Sequence, residues 1–112
     1  MVSPPTPDER PHVDAMKRAC EAGFIAAQMA GAVIHAWRRH DGVIDTYTAI
    51  GWEEASAARY RAEDYPHGDV LWQKAGTVAD VITELLALPR DGERGAPRLT
   101  HPPDSGLWVV GG

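Results

Sequence analysis

The chain has 112 residues, 44% of them apolar, and 16 acidic against 11 basic side chains give a formal charge of −5. That length suits one small domain, and the composition excludes wholesale disorder and fibrous repeats. The acidic balance lacks the positive field that nonspecific phosphate binding requires, so no nucleic-acid partner is expected.

Residues 1–11 contain prolines at positions 4, 5, 7 and 11 and no apolar run of the signal-peptide kind. They read as a flexible arm. Cys20 is the only cysteine, which excludes an intramolecular disulfide, and a reducing cytoplasm is the expected compartment.

From residue 12 to 40 no proline intervenes, and Val13, Met16, Cys20, Gly23, Ala27, Ala30, Ile34 and Trp37 recur every three or four residues. This spacing predicts a long amphipathic helix, with Arg38, Arg39 and His40 placed where cations suit a helix C-terminus. Residues 19–37 do not read as a membrane span, because Glu21, Gln28 and His35 interrupt a run made mostly of Ala and Gly. The small residues Gly23, Ala27, Ala30 and Gly31 would let another backbone approach closely, so they are the expected oligomer contact.

A short second helix is predicted from Trp52 to Asp64 on the strength of its Ala and Glu content, with Pro66 ending the segment after Tyr65. A third helix follows Asp69, with Leu71, Ala75, Val78, Ile82, Leu85 and Leu88 on one face. Thr77 and Asp80 resemble a capping box, where that helix would kink or restart, and Pro89 ends it. Residues 89–112 carry four prolines and five glycines and read as an extended tail, closed by the apolar cluster Leu107, Trp108, Val109 and Val110.

Chemistry-bearing motifs are sparse. His35 and His40 are five apart, which on a helix would point them in different directions rather than at one ion. Cys20 has no activating neighbours in sequence, and neither Ser56 nor Ser105 sits in a nucleophile motif. No catalytic residue, metal site or cofactor is assigned.

The resulting expectation is an all-α fold: a three-helix bundle over residues 12–88, with the arm 1–11 and the tail 89–112. Its expected role is that of a noncatalytic acidic interaction or assembly module, either homodimeric or bound to a protein partner. Leu107, Trp108, Val109, Val110 and Trp52 would form the partner-binding surface. The alternatives are a small metal-dependent enzyme or ligand-binding protein built around His40, Asp45, Tyr65 and His67, and a structural component of a virion or mobile element.

Overall fold

Antiparallel strands, concealed in the sequence by its alanines, organise the middle of the molecule. The computed structural model describes residues 4–103. Helix α1 spans Arg10–Glu21, and four strands follow: β1 (Ile25–Gln28), β2 (Ile34–His40), β3 (Val43–Gly51) and β4 (Glu54–Arg61). Strand β5 (Trp72–Gly76) then leads directly into helix α2 (Val78–Ala87). The strands form one antiparallel meander in chain order, β1 to β5.

The protein is therefore α+β, and the expected all-α three-helix bundle is overturned. Gly23, at φ +101°, ends the first helix after Ala22, and the chain reverses into β1 instead of continuing to His40. The left-handed backbone after a helix is the usual role of glycine at such a stop. Asp41 and Gly42 then close a two-residue hairpin between the paired His40 and Val43, with Asp41 itself at φ 52°. The expected second helix is β4, followed by a single 3₁₀ turn at Ala62–Asp64. Only the second half of the expected third helix is helical. Its restart at Thr77 is real, with the Thr77 hydroxyl accepting from the Asp80 amide at 3.1 Å.

Both helices lie on one face of the sheet, packed on each other, with α2 against β3, β4 and β5. Ala15 and Ala19 of α1 and Val78, Val81, Ile82 and Leu85 of α2 bury themselves against Ala36, Tyr47 and Ala57 of the sheet. The opposite face of β3 and β4 is covered by residues 62–70. There Tyr65 meets Tyr60 edge-on at 5.4 Å, and Val70 packs against Ala58 and Tyr60. A bridge between Val70 and His101 ties the following chain to this cover. Being covered on both faces, β4 buries six consecutive residues, Ala55 to Tyr60. Alanine fits that confined strand because packing, not intrinsic helix propensity, decides the conformation of a central strand. No helix among the described residues is long and apolar enough to cross a membrane.

Candidate functional site

The densest chemistry lies where β2, β3 and β4 run side by side. Arg38, Asp45 and Arg59 are direct cross-strand neighbours, so all three side chains emerge on the helix-covered face. Asp45 is 0% exposed and Arg59 only 1% exposed. Arg59 donates Nε to Asp45 Oδ1 at 2.7 Å and Nη2 to Oδ2 at 3.1 Å, a bidentate pair, and its Nη1 donates to the Pro89 carbonyl. Arg38 Nη2 at 3.1 Å and His40 Nε2 at 2.7 Å also meet Asp45 Oδ2.

Burial by itself would raise the Asp45 pKa, but the bonds and charge of Arg59, and then those of His40, outweigh it and hold the carboxyl below its ordinary range. A buried carboxylate so fully engaged is out of reach of substrate, and the two arginines on it repel any cation. Its role is to tie three strands together.

Arg38 extends this knot to the turn after α1. Its Nη1 donates to the Ala22 carbonyl at 3.0 Å, and its guanidinium lies 4.8 Å from the centre of the Phe24 ring. A cleft of about 380 Å³ opens beside it, lined by Ala22, Gly23, Arg38, Arg39, His40 and Arg90. Of its three arginines, Arg38 is held by Asp45 and Arg90 by Asp41 at 3.2 Å, while Arg39 is exposed and has no ion partner among the described residues.

A second polar cluster occupies the opposite face of the sheet. His35 Nδ1 lies 2.9 Å from Thr48 Oγ1, and its Nε2 lies 3.0 Å from Tyr65 Oη. Burial lowers the His35 pKa, favouring a neutral ring that donates through one nitrogen and accepts through the other. Burial likewise raises the Tyr65 hydroxyl pKa. The cluster pins residues 62–70 across the sheet, and both ring nitrogens of His35 are engaged within it.

The sequence-derived residues fall out unevenly. His40 and Asp45 do meet, but Tyr65 lies over the other face and His67 is exposed in the covering segment, so the four-residue composite does not assemble. Among the described residues no three His, Cys, Asp or Glu groups come together as a metal site. Cys20 is exposed, not part of a buried stripe. Trp52 sits in the β3–β4 hairpin, where its Nε1 donates to Glu9 at 3.0 Å and its ring stacks on His12 at 5.6 Å. Leu107, Trp108, Val109 and Val110 lie outside the described residues. Arg59, the hub of the buried knot, escaped the sequence reading, because only the register of β3 against β4 brings it to Asp45.

The expected oligomer contacts converge on a different feature. Gly23 leads into β1, Ala27 lies within it, and Ala30 and Gly31 belong to the 3₁₀ turn Ala30–Ala32 that follows. They surround the open edge of the sheet rather than the face of a helix. Among the described residues β1 pairs with β2 alone. The Met29 amide donates to the Val33 carbonyl, making Met29 and Val33 a hydrogen-bonded pair. By the alternation of antiparallel ladders, Ala27 and Ile25 also bond inward to β2, and Ala26 and Gln28 turn their amides and carbonyls outward. Ile25 is 60% exposed and Met29 38% exposed. From Ala22 to Ile34 the chain carries no Asp, Glu, Lys or Arg. No family model, curated protein or solved structure matches the chain.

Proposed function

We propose that the protein is a noncatalytic interaction module that associates by strand addition at the edge of β1. One observation carries the reading: β1 is an edge strand with outward backbone groups, exposed apolar side chains and no charge to deter a partner. The buried polar clusters support it from the other side, since the Asp45 carboxylate and both ring nitrogens of His35 are engaged within the fold. A pairing strand meets two free amides and two free carbonyls, and side-chain contacts with Ile25 and Met29 supply selectivity.

Ala26→Pro tests the reading. It removes an outward amide that the β2 ladder does not use, at an edge position where proline is tolerated. In extracts of cells making the full chain, the wild type is expected to elute in size exclusion above its 12.2 kDa monomer mass, and the folded variant at that mass. Equal elution of the two would remove the β1 edge from consideration.

A second reading, a small-anion site, is favoured by the cleft that holds Arg38, Arg39 and Arg90. Thermal unfolding with increasing phosphate at constant ionic strength tests it: a saturable rise in midpoint that Arg39→Ala abolishes supports this reading, and its absence counts against it.

A further inference from the structure

The partner that β1 fits best is a second copy of itself. This rests on the strand-addition reading and goes beyond it by naming the occupant and the register. We infer that two chains pair their β1 strands antiparallel about a two-fold axis through Ala27, joining two five-stranded sheets into one of ten.

The register follows from which groups face outward. Ala26 and Gln28 carry the free amides and carbonyls, so antiparallel pairing satisfies both when Ala26 of one chain opposes Gln28 of the other. Two-fold symmetry then repeats the pair, giving four backbone hydrogen bonds with Ala27 opposite its own copy. Axes through Ala26 or Gln28 would oppose one outward residue to Phe24 or Ala30, beyond the ends of the strand.

The side chains agree with this arrangement. Ile25, Ala27 and Met29 alternate onto the same face of the strand. With Ala27 on the axis, Ile25 of one chain lies opposite Met29 of the other, and this happens twice. Two of the four large apolar residues that are exposed among the described residues thereby cover each other. Alanine at the axis brings the two backbones together without a clash. Each chain carries a charge of −5, but the paired segments carry no charged side chain, so repulsion arises only at a distance and is screened by salt.

Light scattering on the purified full chain over a range of concentrations is the first arm of the test, with a mass of twice 12.2 kDa expected at the upper end. Ala26→Pro removes two of the four bonds and should raise the dimer dissociation constant by about 10- to 100-fold. Gln28→Lys keeps every backbone group and introduces like charges at the interface, so it should weaken the dimer even if the proline variant fails to fold.

The register is read by cysteines in a Cys20→Ser background. At the axis, opposed α-carbons lie roughly 4.5 Å apart, within disulfide reach, so Ala27→Cys should cross-link on mild oxidation. Ile25 lies about 13 Å or more from its own copy, so Ile25→Cys should not. A monomer at every concentration overturns the second copy while leaving strand addition to another protein standing. A dimer indifferent to both edge variants overturns pairing at β1, and equal cross-linking at positions 25 and 27 overturns the register.

Discussion

The corner around Asp45 and the edge at β1 use polar groups in opposite ways. At the corner, one carboxylate accepts from Arg59, Arg38 and His40, and none of its capacity is left for a ligand. At the edge, side chains that carry no charge frame backbone amides and carbonyls that the fold leaves over. Residues that look chemical in sequence are engaged within the fold at the corner, whereas the edge presents peptide groups that no residue-type search would find. That contrast predicts a double dissociation between stability and association.

The largest effect belongs to the corner. Asp45→Asn removes the charge that compensates Arg59, which is only 1% exposed, and breaking one partner of a buried pair costs about 3–5 kcal/mol. Urea unfolding should register that loss, while the fraction still folded should associate as the wild type does. Ala26→Pro should behave in reverse, with weakened association and an unfolding free energy within about 1 kcal/mol of wild type. Loss of association by folded Asp45→Asn would show that corner and edge are coupled.

Arg38→Ala comes next, because Arg38 connects the two regions. It bonds the Ala22 carbonyl at the turn into β1 as well as Asp45, but its side chain is 23% exposed and Asp45 would keep Arg59 and His40. A loss of about 1–3 kcal/mol is expected. Faster amide exchange should follow in residues 22–25, where the turn loses its bracket.

Acid separates the buried clusters by pH window. The His35 pKa is lowered from 6.5 in the fold, so as pH falls the unfolded chain binds the proton first. The stability linked to His35 is complete above about pH 6.5 and is lost as pH drops through the folded value. Asp45 is lowered from 3.8, so its contribution persists to lower pH and is lost below that value. Unfolding free energies measured from pH 8 to 3 should thus decline in two stages. His35→Gln, which cannot titrate, should remove the upper stage alone; a decline unchanged in that variant would assign the upper stage to another group.

These regions also differ in how much of them was legible from sequence. The Thr77 cap and the stop before Pro89 could be read directly, because capping and ring closure are local. The strands could not be read from composition, since Ala55, Ala57 and Ala58 are good helix formers that become strand residues only when covered on both faces. Local signals for the correct fold were present but outweighed. Asp41–Gly42 is a hairpin-turn dipeptide, and Thr46, Tyr47 and Thr48 favour a strand. Gly23 reads in sequence as one member of a small-residue face, whereas its positive φ makes it the end of the helix. The small residues Gly23, Ala27, Ala30 and Gly31, placed on a helix face by the helical period, lie instead around β1 at the edge of the sheet. His40 meeting Asp45 across a hairpin, and Arg59 joining from β4, depend on register, which composition does not encode.

The smallest expected change in stability tests why association should choose β1 over the opposite edge. β5 carries Lys74 at its centre, paired with Glu84 at 3.0 Å, and the Val70–His101 bridge occupies the approach to the strand. A charge in the middle of an edge strand is a common guard against further pairing. The Lys74–Glu84 pair is well exposed, with side chains 42% and 50% accessible, so Lys74→Val should alter stability by only about 0–1 kcal/mol. Its effect on assembly should be qualitative. A chain with one open edge stops at two copies, whereas a chain with two open edges has no such limit. Lys74→Val should therefore yield species larger than a dimer by light scattering, and adding Ala26→Pro should shrink them again. If Lys74→Val keeps the wild-type mass distribution, the His101 bridge, and not the lysine, is what closes that edge.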